Sequence, residues 1–317
     1  MKNSEINIHF IVGMSRAGTT WLMLCLNNHS EIVSFGETGF WGINKQKNEV
    51  YGAEEMKFLK EKLIHLGNSQ PDLCAKEGGV GALMAKLLDE MIIDNKKYAR
   101  KDIFIKLLEQ IAKCNRKRIV VEKTPHHINH LTEIRSNLPN CKVIINQRDA
   151  KDFMLSYKHQ GDRKRDAVKE SFKKMYHPLG CTLVYRKYVK SINNALKLEN
   201  TLLVKMEEIE HEPEIVLKKV QHFLEVNQLE EIQLPKANSS FPEGNSQQLQ
   251  VDDLLWLWLF RFIPKMELTV KQRLALPFIL ILSILSIPVW AWNVISILRS
   301  VNLRRGLLKY LFGYLQK

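Results

Sequence analysis

Short apolar runs alternate with longer amphipathic stretches along the first two thirds of the chain. The runs predict β-strands, and the stretches, with apolar residues three or four positions apart, predict helices between them. Strand and helix in alternation are typical of a parallel sheet flanked by helices, so we predict an α/β fold with about five strands. The predicted strands are Ile8–Val12, Ile32–Phe35, Arg118–Val121, Lys142–Gln147 and Thr201–Val204. The predicted helical stretches include Thr20–Asn28, Gly81–Glu90, Lys101–Cys114 and Arg163–Leu198.

The hydropathy pattern changes near residue 250. Leu234–Gln250 is rich in Pro, Ser, Asn and Gln and is typical of a loop or linker. From Leu274 to Leu298, 25 consecutive residues carry no charge, which exceeds the roughly 20 needed to cross a bilayer as a helix. We therefore predict one domain over residues 1–250 and a helical tail over 251–317 that binds membrane lipid. The tail also has the indoles favoured at membrane interfaces, Trp256, Trp258, Trp290 and Trp292.

The sequence leaves open whether this tail spans the bilayer. Positive charge marks the cytoplasmic end of a span, yet basic residues flank both ends of the stretch, Arg261, Lys265, Lys271 and Arg273 before it and Arg299, Arg304, Arg305 and Lys309 after it. Pro277 and Pro288 are expected to interrupt the helix. A single span and a hairpin within one leaflet are both compatible with this pattern.

Composition narrows the class of partner. The chain has 47 Lys and Arg against 34 Asp and Glu, a net charge of +13, which favours anionic ligands or lipid. Nucleic acid is the weakest partner class, because no motif interleaves aromatic and basic residues. The five cysteines form no CxxC pair, which argues against a zinc site or a disulfide framework. The N-terminal residues lack the apolar run of a signal peptide, so we expect the domain to face the cytosol. No pattern indicates an oligomeric state.

A glycine-containing loop follows the first predicted strand. Gly13 and Gly18 are separated by four residues, as in the phosphate-binding loop of nucleotide triphosphatases, but Thr19 stands where that loop has lysine. Backbone N–H groups at such a strand–loop–helix junction bind phosphate. Arg16 adds a planar guanidinium that can hold two anionic oxygens. A small-molecule or nucleoside kinase remains the alternative, and the missing lysine counts against it.

A second candidate anion site follows the fourth predicted strand. Arg148 ends that strand and Ser156 comes eight residues later, on the next predicted helix. Doubly wound sheets bind ligands beyond the carboxyl ends of their strands, so Arg148 could neutralise a phosphate there. A surface pair with Asp149 and an ordinary helix serine are the simpler interpretation.

Both motifs resemble those of sulfotransferases. The loop Arg16, Ala17, Gly18, Thr19, Thr20 and Trp21 is similar to their 5′-phosphosulfate loop, and Arg148 with Ser156 to their 3′-phosphate motif. The resemblance extends in order from Ile8 to Val226. It implies a P-loop-like fold and transfer of a sulfuryl group from 3′-phosphoadenosine-5′-phosphosulfate (PAPS) to a hydroxyl acceptor. The chain departs from the pattern at Met206, where the family usually has Tyr, and after Val226, where no basic loop occurs. Lys236 or the run Arg163–Arg165 could supply that contact.

The resemblance also implies catalytic roles. Glu37 follows the second strand beside Phe40 and Trp41 and is the expected base, while Lys123, in "VEKTPHH", is expected to stabilise the leaving phosphate together with Arg16. A turn glutamate and a solvated lysine are the alternatives. His126, His127 and Trp41 are candidate substrate contacts.

No third ligand accompanies the two histidines, so we expect no metal. The tail suggests an acceptor at the membrane, such as a glycolipid, glycan or other amphiphile. A nucleotide-binding adaptor without activity is a further alternative. The presence of Glu37 and Lys123, the two expected catalytic residues, argues against it.

Overall fold

The computed structural model describes residues 6–43, 50–64, 72–162, 166–228 and 248–299. These residues form two compact units, one of residues 6–147 and 192–228, the other of residues 148–191 and 248–299. Four sets of predictions lie outside the described residues: the run Arg163–Arg165, Lys236, most of the linker, and the basic residues after Arg299.

The first unit is built on a parallel sheet. The strands of this unit are β1 (Asn7–Gly13), β2 (Ile32–Gly36), β3 (Val50–Tyr51), β4 (Tyr98–Ala99), β5 (Ile119–Lys123), β6 (Val143–Gln147) and β7 (Thr201–Lys205). Five of them form one parallel sheet in the order β2-β5-β1-β6-β7, and β3 pairs with β4 in an antiparallel ribbon. All five predicted strands and the predicted fold class are thereby confirmed. In the register of the sheet, Ile11 of β1 lies opposite Lys123 and Ile144.

Helices cover both faces of this sheet. Those of the first unit are α1 (Thr19–Asn27), α2 (Phe40–Ile43), α3 (Ala53–Leu63), α4 (Val80–Ile93), α5 (Arg100–Asn115), α6 (Leu131–Asn137), α10 (Met206–His211) and α11 (Pro213–Leu224), with 3-10 turns at Ala75–Glu77 and Pro125–His130. On one face, Leu22 of α1 and Val220 of α11 pack in the same cluster as Ile11. On the other, Phe104 of α5 stacks on Phe10 at 6.0 Å. Because side chains on both faces of the sheet are buried, the strands are mostly apolar and lack the polar alternation of a half-exposed sheet.

The second unit is helical. Its helices are α7 (Ala150–Lys158), α8 (Asp166–Met175), α9 (Pro178–Ala195), α12 (Val251–Leu259), α13 (Val270–Leu285) and α14 (Ile287–Arg299). The end of α9, from Ile192, belongs to the first unit. The stretch predicted over Arg163–Leu198 is thus divided into two helices. The division falls just before Pro178, because proline disfavours the helical conformation of the residue that precedes it.

The two prolines of the apolar stretch behave differently. Pro277 lies inside α13 and does not end it, so the expected interruption there is wrong. Pro288 is the second residue of α14, directly after the break at Ser286. A proline is well tolerated in a first helical turn, where its missing N–H would have no partner in any case. Within the described residues, one stretch, Val270–Ile297, is long and apolar enough to cross a membrane, judged by length and composition.

Candidate active site

Residues from three strand ends meet at one edge of the sheet. Strands β2, β5 and β1 are parallel neighbours, so their carboxyl ends lie together. Glu37 directly follows β2, Lys123 ends β5, and Thr20 belongs to the loop and helix after β1. The ammonium Nζ of Lys123 lies 2.7 Å from Glu37 Oε1 and donates to Thr20 Oγ1 at 3.4 Å. The structure therefore brings three of the predicted site residues into contact.

The two charges at this edge differ in exposure. The Lys123 side chain is 5% exposed, whereas the Glu37 side chain is 41% exposed. A buried ammonium needs a partner, because removing an unpaired charge from water is costly. The lysine is thus held in place by surrounding protein, while the carboxylate remains open to an incoming molecule.

The loop after β1 requires both of its glycines. Gly13 has φ 123°, and a Cβ there would lie 2.1 Å from the backbone oxygen of Asn146. Gly18 has φ 76°, and a Cβ there would lie 2.7 Å from Met206 Sδ. At Gly13 any other residue would clash with the backbone of β6, and at Gly18 the positive φ disfavours other residues.

Asn146 fastens this loop to the neighbouring strand. Its backbone oxygen accepts from Met14 N at 2.8 Å, and its side-chain Nδ2 donates to Ala17 O at 2.9 Å. Asn146 is fully buried. No sequence motif singled out Asn146, although an amide within the apolar run of β6 is a signal that could have identified it.

The predicted donor loop ends at the start of α1. Arg16 is half-buried with φ 68°, and Ala17 and Thr19 are buried, while Thr20 is exposed and Trp21 half-buried. The N-cap residue of α1 is Gly18, which supplies no side-chain cap, and the first turn contains no acidic residue. The amides of a helix N-terminus carry partial positive charge. The loop is therefore suited to hold a phosphate or sulfate group.

A buried carboxylate lies behind the edge of the sheet. Glu122 of β5 is fully buried, and its Oε1 accepts from Thr38 N at 3.0 Å, Thr38 Oγ1 at 2.7 Å and Thr124 Oγ1 at 2.5 Å. Its Oε2 lies 3.0 Å from His127 Nδ1. Burial alone would raise the pKa of Glu122, but His127 and the hydroxyl donors outweigh burial and lower that pKa.

This cluster fixes the spacing of Glu37 and Lys123. Thr38 is the residue after Glu37 and Thr124 is the residue after Lys123, so one carboxylate joins the two turns. His127 completes the connection, since its Nε2 accepts from the Trp41 N–H at 3.3 Å and its Nδ1 lies 3.0 Å from Glu122 Oε2. Glu122 was not among the predicted site residues, although an acidic residue inside an apolar strand is a signal that could have identified it.

The candidate substrate contacts lie at different depths. His127 is 1% exposed and Trp41 2% exposed, and the polar contacts of His127 are to the cluster just described. His126 is half-buried. A substrate contact for these three residues stays a prediction. Among the residues that the structure describes, no group of three or more His, Cys, Asp or Glu side chains is placed to hold a metal ion.

Arg148 and Ser156 belong to the second unit. Arg148 is half-buried and its carbonyl accepts from Tyr185 Oη at 3.2 Å. Asp149 caps α7 by accepting from Lys151 N at 2.8 Å and Asp152 N at 3.2 Å. Ser156 is fully buried. Asp149 is thus a helix cap, and the role of Arg148 and Ser156 toward a 3′-phosphate stays a prediction.

Comparison with known proteins identifies the family. Residues 9–231 match the Sulfotransferase family. The match covers more than half of the chain, and the protein therefore belongs to the sulfotransferase family, as the sequence motifs predict. A search of curated proteins finds no match.

Solved structures agree with the fold. The sulfotransferase domain from the Synechococcus PCC 7002 olefin synthase aligns with a TM-score of 0.53 and 18% identity, over 88% of this chain and 96% of that one. The sulfotransferase domain from the curacin biosynthetic pathway aligns with a TM-score of 0.48 and 19% identity, over 86% and 97% of the two chains. A sulfotransferase from Alicyclobacillus acidocaldarius gives 0.46 and 18%, over 80% and 90%. The first of these likenesses supports the sulfotransferase fold.

Proposed function

We propose that this sulfotransferase transfers the sulfuryl group of PAPS to a hydroxyl group of its acceptor. The observation that carries the proposal is the contact of Lys123 with both Glu37 and Thr20, at the edge where the phosphate-type loop begins. This arrangement combines a fixed cation, an accessible carboxylate and a cradle for an anion. Transfer between oxygen atoms requires these three features.

The donor would bind through two sets of residues. The 5′-phosphosulfate is assigned to Arg16, Ala17, Gly18, Thr19, Thr20 and Trp21. The positive φ of Gly13 and Gly18 and the glycine at the N-cap of α1 support this assignment. The 3′-phosphate is assigned to Arg148 and Ser156 on the strength of the sequence motif. No metal enters the proposed reaction.

In the proposed reaction, Glu37 accepts the proton of the acceptor hydroxyl. The acceptor oxygen forms a bond to sulfur, in line with the bond from sulfur to the 5′-phosphate oxygen, which breaks. Lys123, with Arg16, stabilises the negative charge that this oxygen gains, and 3′-phosphoadenosine-5′-phosphate (PAP) leaves. Because Lys123 contacts Glu37 in the structure, a phosphate bound at Thr20 would share that ammonium and weaken its hold on the carboxylate.

Nucleotide binding tests the donor assignment. PAP should raise the melting temperature of the purified protein, whereas ATP with magnesium should leave it nearly unchanged. The reverse result would favour the alternative, a P-loop kinase of a small molecule or nucleoside.

Two substitutions test the division of roles. Arg148→Ala should mainly weaken PAP binding, because it removes a cation assigned to the 3′-phosphate. Glu37→Gln should lower turnover while PAP affinity stays nearly unchanged. Titration calorimetry with PAP and a turnover assay measure the two effects, and equal losses of PAP affinity in both variants would contradict the assignment.

We further propose that the protein binds membrane lipid through its C-terminal apolar helices and works on the cytosolic side of the membrane. The length and hydropathy of Val270–Ile297 support this proposal. An acceptor close to the bilayer would follow, such as a glycolipid, a glycan or another amphiphile. An assay with radiolabelled PAPS against extracted lipids and glycans tests the acceptor class, and labelling confined to water-soluble acceptors would contradict it.

A further inference from the structure

Helix α13 turns its apolar residues outward. Six of its apolar side chains are each more than half exposed, namely Val270, Leu274, Phe278, Ile281, Leu282 and Leu285. At 100° per residue these six share one face of the helix. Ser283 lies on the opposite face and is buried. A helix of a soluble domain has the reverse arrangement, with its apolar stripe toward the core.

The inward side of α13 and α14 is held by polar contacts within the second unit. Trp256 Nε1 donates to Ser283 Oγ at 2.7 Å. His177 Nε2 lies 3.0 Å from Ser286 Oγ, and Trp290 Nε1 donates to the backbone oxygen of Met175 at 2.8 Å.

The fit around Trp290 is close. A Cβ on Gly180 would lie 2.5 Å from its ring. All of these contacts fall in the middle of the uncharged stretch. They join the centre of that stretch to α8, α9 and α12.

These contacts bear on how the stretch can meet a bilayer. Helix α14 packs against α8, where Lys173 and Lys174 are exposed. If the stretch crossed the membrane, its middle would lie at the bilayer centre and would draw these lysines into the hydrocarbon region. Charged side chains are strongly unfavourable there. A spanning orientation would therefore carry a desolvation cost for Lys173 and Lys174 that an in-plane orientation avoids.

We propose that α13 and α14 lie in the plane of the membrane and insert their outward face into one leaflet, with both ends of the stretch on the same side. This rests on the membrane association proposed above and is independent of the sulfuryl transfer. Amphipathic helices bind in this way when their apolar face reaches the boundary between headgroups and acyl chains.

A lipid surface fits this face better than a protein partner. The six outward residues of α13 have no hydrogen-bonding side chain, whereas a protein interface has about one hydrogen bond per 100–200 Å². Lys271 and Arg273, in the first turn of α13, are exposed and complement anionic headgroups. Trp292 of α14 is 65% exposed, as expected of an indole at the interface.

Vesicle sedimentation tests the lipid-binding face. The full chain should sediment with vesicles of phosphatidylcholine containing phosphatidylserine, and less with phosphatidylcholine alone. The double variant Phe278→Gln/Leu282→Gln should bind at least about tenfold more weakly, because two large apolar side chains no longer enter the lipid.

The matched control is Ile93→Gln/Ile215→Gln, which removes two exposed apolar side chains of the first unit and should bind as the wild type does. Unchanged binding by the Phe278/Leu282 variant would overturn the assignment of this face. Both the lipid face and membrane association would be overturned if the wild-type protein did not sediment with vesicles and instead formed a dimer that the same double substitution abolished.

A topology assay separates the in-plane arrangement from a span. The chain, with a different epitope tag at each end, is synthesised in the presence of sealed microsomes and then treated with protease. Loss of both tags from membrane-bound protein is the expected result. Protection of the C-terminal tag would show a span and overturn the proposal, while leaving membrane association and PAP binding intact.

Discussion

Among the residues that the structure describes, each unit contains one fully buried carboxylate, Glu122 in the first and Asp253 in the second. Glu122 faces uncharged hydroxyl and amide donors and a histidine. Asp253 instead pairs with Lys158 Nζ at 2.6 Å and accepts from Tyr176 Oη at 2.5 Å. Burial, with the neighbouring Asp253, raises the pKa of Tyr176, so this phenol stays a donor.

The positions of their partners show what each carboxylate does. The donors to Glu122 stand next to Glu37 and Lys123, so that cluster sets the geometry of the sheet edge to which we assign the reaction. The partners of Asp253 lie at the end of α7 and just after α8, so the second cluster fastens α12, the helix that bonds to Ser283 through Trp256. Two equally buried carboxylates therefore differ in role, because the elements they join differ.

The largest effect is expected at Asp253. Asp253→Ala leaves the Lys158 ammonium buried without its carboxylate, which should lower the free energy of unfolding by about 3–5 kcal/mol. Urea unfolding measures this loss. The control is Asp252→Ala, since Asp252 is only partly buried and should contribute less. Equal losses in the two variants would show that the pair with Lys158 is not what holds α12.

In the first unit, Lys123→Ala should lower kcat by about 10²–10³-fold, because it removes the cation placed at the leaving oxygen. Affinity for PAP should be largely retained. Lys113→Ala, which changes an exposed lysine of α5, is the control and should leave kcat unchanged. Full activity of the Lys123 variant would contradict the role assigned to Lys123 at the leaving oxygen.

Acid should act with opposite sign through His9 of the first unit and Asp252 of the second. Burial, together with Lys142, lowers the pKa of His9 in β1 from its ordinary 6.5 to about 4. Between these pH values His9 binds a proton in the unfolded chain but not in the folded chain. The free energy of unfolding therefore falls as the pH drops from about 6.5 to about 4, by up to about 3 kcal/mol. Burial raises the pKa of Asp252 in the second unit. The folded chain therefore binds the Asp252 proton more tightly than the unfolded chain does, so at this group acidification favours the folded state.

The variant His9→Asn tests this sign. In the wild type, His9 Nδ1 accepts from the backbone N–H of Lys142 at 3.1 Å. Asparagine keeps an acceptor for this N–H, but its side chain does not titrate. Chemical unfolding at pH 7 and pH 4.5 should show a smaller difference for the variant than for the wild type. An unchanged difference would mean that His9 does not cause the acid sensitivity of the first unit.

The smallest effect is expected from Glu122→Gln. The glutamine amide would point an N–H toward Nδ1 of His127. If His127 then carried its proton on Nε2, that N–H would face the backbone N–H of Trp41. We expect kcat to fall about 10- to 100-fold and stability by about 1–3 kcal/mol, with PAP affinity retained. Glu90→Gln, at an exposed position of α4, is the control. A loss of stability without a loss of kcat would limit Glu122 to a structural role.

Local patterns were sufficient for much of the fold and part of the site. Each strand of the parallel sheet is a mostly apolar run, and the loop at Gly13, Glu37 and Lys123 lie at the carboxyl ends of such runs. The carboxyl ends of parallel strands share an edge, so their meeting could be expected.

Other contacts join distant parts of the chain. Thr38 bonds to Glu122 across 84 residues and Ala17 to Asn146 across 129. No local pattern indicates such pairs.

The C-terminal stretch shows the same division between sequence and structure. Its sequence alone determined that 25 residues without charge would be helical and would favour lipid, since hydropathy is a property of composition. Only the tertiary structure decided which side of α13 faces outward, because that depends on where Trp256, His177 and Trp290 find their partners. Those contacts fix the middle of the stretch to charged helices, and so they determine how the stretch can meet a membrane.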